Sequence, residues 1–170
     1  MPKLKSQNAI AIVALAVAAF VVAFLSMRLD SSFEVVDQEY VKAHVGRPGF
    51  ILLDVREANV YNGASPFEGV PGGHIPGAVN FPSSKLKLPT AVADLALAGA
   101  TKDVTIIVHC NAGRLSSQFA EALVKDLGYS SSKIKNYKGS MIDWSKNPDN
   151  VILPEGHETG LSGDKRPVVS

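Results

Sequence analysis

The sequence predicts an α/β domain with a parallel sheet covered by helices on both faces. Three observations carry this. Short apolar or β-branched runs occur at Phe50–Leu53, Ala78–Phe81, Val104–Val108 and Ile134–Tyr137; helix-period segments lie between them; Gly- and Pro-rich junctions separate the two. Strands alternating with helices need crossover connections, which make neighbouring strands parallel and bury both faces. With 170 residues, 46% apolar and 19% charged, the chain can build one ordinary core. That composition excludes a disordered chain or a collagen-like repeat. The single cysteine, Cys110, excludes an internal disulfide. A formal net charge of +1, without a Lys/Arg cluster outside the termini, leaves no footprint for nucleic acid.

The N-terminus has a different character. Residues 1–28 hold Lys3, Lys5 and Arg28 and no acid, so the remainder carries 14 basic against 16 acidic residues, the chain's 17 less these three. Ala9–Leu25 follows as 17 residues without a charge, roughly 26 Å as a helix, extended by Ser26, Met27 and a snorkelling Arg28. A cleaved signal peptide needs small residues at its cut, and Phe24–Arg28 lacks an A-x-A-like pattern, so an uncleaved signal anchor is favoured. A buried core helix is disfavoured because the run is apolar on every face. Lys3 and Lys5 before the run, against an Arg28 offset by Asp30 and Glu34, predict a cytoplasmic N-terminus. The globular part is then extracytoplasmic, periplasmic in a bacterium. The expected divisions are a transmembrane anchor over 1–28, a domain over 29–150 and a loosely ordered tail over 151–170.

Within the domain, Asp37 is placed to cap a short helix whose Tyr40, Val41, His44 and Val45 share a face, closed by Gly46 and Pro48. Phe50–Leu53 reads as a buried strand ending in Asp54-Val55-Arg56-Glu57. Ala58–Gly73 holds too much Gly and Pro for regular structure throughout. Ala78–Phe81 is a second strand and Pro89–Leu97 a helix with Val92 and Leu95 on one side. Val104–Val108 is the strongest strand, β-branched throughout. A helix from about Arg114 to Leu127 places Ala120, Leu123, Val124 and Leu127 on one face, with Gly128 as its C-terminal cap. Ile134–Tyr137 is the last strand. Beyond 150 the chain turns polar and Gly/Pro-rich apart from Val151–Leu153.

Cys110 falls where the best strand ends and the best helix has not begun. Open α/β sheets bind ligands at the carboxyl ends of their strands. The loop Cys110-Asn111-Ala112-Gly113-Arg114-Leu115-Ser116 offers backbone N–H groups, a helix start and a cation. These lower a thiol's pKa and expose thiolate. A lone cysteine finishing a strand is also, commonly, just a small apolar residue; the Gly and Arg favour chemistry. A protein tyrosine phosphatase loop is excluded by counting, since there Arg is sixth after Cys. Here Ser116 is sixth and Arg114 fourth.

Four segments resemble rhodanese-like sulfurtransferases. Gly73-His74-Ile75-Pro76-Gly77-Ala78-Val79-Asn80 looks like that family's upstream signature, and Ile134–Trp144 is similar to its downstream one. Leu53–Glu57 resembles the Asp-x-Arg closing an early strand, and Cys110–Gly113 the Cys-x-x-Gly loop, all in order across residues 35–145. The resemblance implies a five-stranded parallel sheet flanked by helices, with Cys110 as nucleophile in a shallow pocket. Cys110 would take sulfane sulfur from a donor such as thiosulfate as a persulfide and pass it to cyanide or a thiol. The substrate would lie among Asn111, Ala112, Gly113, Arg114, Leu115 and Ser116, without metal or organic cofactor.

The chain departs from the family at Leu115, where a donor is frequent, and at Lys138 and Met141. Its Tyr61–Gly72 stretch is longer than usual, a length that suits a lid over Cys110 or a docking surface, with Phe67 as apolar contact. Asp54 and Arg56 are expected to tie loops together, His74 to pack in a turn and Trp144 to pack as core. His44, His109 and His157 show no metal-ligand spacing. Lys135 and Lys138 read as a solvated face. A second reading is a non-catalytic binding or assembly subunit of a membrane complex. A phosphate-ester or arsenate enzyme is disfavoured by the loop length.

Overall fold

Five parallel strands in the order β1-β5-β4-β2-β3 form the sheet. They are β1 (Glu34–Val36), β2 (Phe50–Asp54), β3 (Ala78–Asn80), β4 (Thr105–His109) and β5 (Ile134–Tyr137). The computed structural model describes residues 33–153. The expected anchor over 1–28, residues 29–32 of the expected domain and the part of the expected tail beyond Leu153 lie outside the described residues. Among the described residues no helix is long and apolar enough to cross a membrane.

Helices α1 (Gln38–His44), α2 (Ala58–Tyr61), α3 (Ala91–Leu97), α4 (Arg114–Lys125) and α5 (Ser140–Trp144) connect the strands. Asp37 caps α1 as expected, its carboxylate accepting from the Tyr40 N–H at 2.9 Å. The expected helices over Pro89–Leu97 and Arg114–Leu127 are shorter at one end, and Gly128 (φ +67°) lies two residues beyond the Asp126 cap. Val104–Val108 is shifted by one residue, to Thr105–His109. Strand β1 and the short α2, α5 and two 3₁₀ turns were not individually expected.

The period of two sorts the strands between two cores. Leu53, Ile106 and Val108 pack with Leu95, Phe119 and Leu123 under α3 and α4. Leu52 and Ile107 pack with Val41, Ile75, Met141 and Trp144 under α1 and α5. Trp144 is core, as expected, with its indole N–H donating to the Val151 carbonyl at 3.0 Å. Both faces of the central strands are therefore dry, and polar chemistry is confined to the strand ends. The carboxyl ends of β2, β4 and β5 converge on one edge, where Asp54, Cys110 and Ser140 meet.

Candidate active site

Cys110 follows β4 directly and is 2% exposed. Its loop is shaped by Gly113, whose φ of +85° is left-handed. A Cβ there would also run into the Lys138 carbonyl oxygen, so the close approach of the two loops requires glycine. The turn aims the Gly113 N–H at the Cys110 Sγ, 3.2 Å away. Burial pushes the thiol up, but hydrogen bonds from Ser116 (backbone and hydroxyl), the Ala112 N–H and the Ser140 hydroxyl outweigh it. The net pKa lies below the ordinary thiol value. The twelve residues of α4 begin at Arg114, adding the positive end of their dipole.

The loop is braced from two sides. Ser140 at the start of α5 has φ +55°, the one non-glycine residue with positive φ among the described residues. Its hydroxyl accepts from the Cys110 N–H at 3.1 Å, donates to the Tyr137 carbonyl at 2.9 Å and lies 3.8 Å from Sγ. A left-handed serine costs roughly 1 kcal/mol, stored here beside the Cys110 thiol. The next N–H groups, of Met141 and Ile142, donate to the carbonyls of Cys110 (3.2 Å) and Asn111 (3.0 Å).

On the other side stands a buried ion pair. Arg56 Nε donates to Asp54 Oδ1 at 2.8 Å and its Nη2 to Oδ2 at 2.5 Å, with exposures of 2% and 0%. The same guanidinium reaches the Gly73 carbonyl at 2.5 Å and Asn111 Oδ1 at 3.3 Å. Asp54 and Arg56 thus join three loops, as their expected tying role requires, and Asn111 turns its side chain to Arg56. His74 is a packed turn residue: it stacks on Tyr61 (3.8 Å between centroids) and donates from Nδ1 to the Tyr61 carbonyl at 3.1 Å.

Arg114 is exposed and pairs with no acid among the described residues. With Leu115, Gln118 and Phe67 it lines a cleft of about 240 Å³ over Cys110. Lys138 is exposed, whereas the Lys135 ammonium is largely covered and holds Glu34 at 2.7 Å. His109, beside Cys110, is wholly buried, and neither ring nitrogen has a hydrogen-bond partner. Burial lowers its pKa, opposed by Asp54 at 3.7 Å. Among the described residues no three His, Cys, Asp or Glu side chains gather as metal ligands.

Residues 37–147 match the rhodanese-like domain. The chain belongs to the rhodanese-like domain family. Thiosulfate sulfurtransferase of Azotobacter vinelandii is 32% identical over 123 residues, 68% of this chain and 44% of that protein. Sulfur carrier protein TtuD of Thermus thermophilus is 35% identical over 122 residues, 63% of this chain and 42% of that one. The chain thus spans less than half the length of these relatives. The anaerobic ergothioneine biosynthesis enzyme of Chlorobium limicola superposes with a TM-score of 0.65 at 23% identity, over 72% of this chain and 28% of that one. This likeness concerns the fold. In this rhodanese-like domain the loop residues expected around Cys110 stand beside it. Ser140 carries no expected role, although it lies within Ile134–Trp144; a Ser after Gly at the start of a helix is the signal the sequence offers.

Proposed function

We propose that this rhodanese-like domain is a sulfurtransferase carrying sulfane sulfur on Cys110. The observation that carries the reading is the set of donors converging on a thiol whose pKa is lowered despite burial. In the loading step the Cys110 thiolate attacks the outer sulfur of thiosulfate. The sulfur–sulfur bond breaks, sulfite leaves with its electron pair, and Cys110 holds the persulfide anion. Loop N–H groups stabilise this negative sulfur as an oxyanion hole stabilises oxygen. In the unloading step an acceptor takes the outer sulfur and Cys110 returns as thiolate. Arg114 at the cleft mouth attracts the anionic donor. The names of the bacterial relatives support the same chemistry.

The proposal includes a setting: a single-pass anchor within residues 1–28, membrane contact through 9–27, and the sulfurtransferase domain outside the cytoplasm. The uncharged Ala9–Leu25 run and its flanking Lys3 and Lys5 support it. Fractionation with protease protection checks it: the domain should sediment with membranes and be cleaved only from the extracytoplasmic side.

Intact mass of the full chain tests the chemistry. Thiosulfate should add one sulfur, about 32 Da, which cyanide removes and Cys110→Ser never acquires. Cys110→Ser should lower turnover by roughly a thousandfold or more. Turnover near the parent level in that variant would sink the proposal.

A further inference from the structure

Tyr61–Gly72 is a closed loop rather than a loose one. The Gly73 and Gly63 N–H groups both donate to the Val60 carbonyl, at 2.9 and 3.2 Å, and the Ala64 N–H donates to Asn59 at 2.9 Å. A Cβ on Gly72 would strike the Gly63 carbonyl, so the two limbs of the loop touch at their base. At the tip, Phe67 and Val70 form an antiparallel bridge, and the Ser65 hydroxyl lies 3.1 Å from the Phe67 carbonyl and 2.9 Å from that of Val70. Val70 is driven into the core at 4% exposure, whereas Phe67, three residues earlier, stays 50% exposed. The fold therefore holds an aromatic ring partly in water, and the place where it holds the ring is the rim of the Cys110 cleft.

Neither thiosulfate nor cyanide gains from such a wall, since both are small hydrated anions and an aromatic ring offers them only lost hydration. A carbon body gains from it. Leu115 supplies a second apolar surface, and Leu115 and Gln118 also line a separate groove of about 530 Å³ between α4 and Ser83–Lys87. The charge at the mouth is Arg114. Anion, apolar body and sulfur are thus each given a place in the lining of one cleft.

We infer that Phe67 is a specificity-determining residue of the unloading step, favouring organic thiols that carry an anionic group on an apolar body over cyanide. The inference rests on the persulfide reading above. The acceptor's body packs between Phe67 and Leu115, its anionic group faces Arg114, and its thiolate sulfur attacks the outer sulfur of the Cys110 persulfide. That sulfur–sulfur bond breaks, its electron pair stays on Cys110 Sγ, and the acceptor leaves as its own persulfide; no oxidant or reductant is consumed.

The full chain, loaded with thiosulfate, is offered 4-mercaptobenzoate or cyanide, and kcat/KM is measured for each in the parent, Phe67→Ala and Phe67→Leu. The aryl thiol-to-cyanide ratio should fall about fivefold in Phe67→Ala, mainly through KM for the thiol, and Phe67→Leu should recover part of it. Because Phe67 is half exposed and its loop is closed by backbone bonds, both variants should keep the parent's thermal midpoint. A ratio held within about twofold in Phe67→Ala overturns the inference alone, provided that the parent loads sulfur. A parent that gains no sulfur from thiosulfate overturns the persulfide reading, and this inference with it.

Discussion

Cys110–Gly113 runs for four residues and is gripped from outside at Cys110 and Asn111, by Ser140, Met141 and Ile142 on one side and by Arg56 on the other. Tyr61–Gly72 runs for twelve and closes mostly on its own backbone, with Val70 as its plug in the core. The first arrangement aims several N–H and O–H donors at one sulfur atom and leaves it no alternative position. The second fixes where a ring stands relative to that sulfur without touching the donors. The proposed reactivity and the proposed selectivity therefore rest on separate segments, and each should change without the other.

Glycine-to-alanine changes separate them most sharply. In Gly113→Ala the new Cβ meets both a left-handed φ and the Lys138 carbonyl, so stability should drop by about 3 kcal/mol and sulfur loading should be lost. Gly72→Ala also drives a Cβ into backbone, at the base of the other loop. It should cost about 1–3 kcal/mol in urea titrations, still load sulfur, and alter the choice between aryl thiol and cyanide. Loading lost equally in both variants would show that the two loops form one unit.

A subtler change concerns the thiol itself. Loading needs thiolate, so its rate should rise with pH and level off, with a midpoint below that of an ordinary thiol. Ser140→Gly keeps the left-handed backbone without strain and removes the hydroxymethyl group, so the midpoint should move up while the fold survives. An unmoved midpoint would leave Ser140 as a brace for the Cys110 N–H alone. The smallest effect is expected at the cleft mouth: Arg114→Ala should raise KM for thiosulfate about threefold, weakening with salt, with kcat little altered. KM unchanged at low salt would remove Arg114 from donor capture.

Much of this was legible in the sequence because it depends on local pattern. Val104–Val108 has no other stable use than a buried strand, and Asp37 caps the helix that its position announces. Asp54 and Arg56, two residues apart at a strand end, were readable as a tie. What escaped depends on tertiary placement. β1 is three residues with only Val36 buried, too short to show a period; pairing with β5, about a hundred residues away, makes it a strand. Ser140 is polar, buried and strained, and its use appears only when the β5–α5 turn meets the end of β4. The sequence also showed Phe67 within a long loop, but the closure that places the ring beside the cleft is made by backbone bonds whose partners no local pattern announces.

The braces on the Cys110 loop have a consequence for the order of synthesis. Met141 and Ile142 hold the carbonyls of Cys110 and Asn111, and Leu153 strands against His74, next to the Gly73 carbonyl that receives Arg56. A chain emerges from its N-terminus, so Cys110 is made some thirty residues before the hydroxyl of Ser140 that meets its N–H. Until then the Cys110 N–H and the carbonyls of Cys110 and Asn111 lack the partners that brace the loop. The geometry around the thiol is thereby completed late in synthesis, by residues that lie after it along the chain.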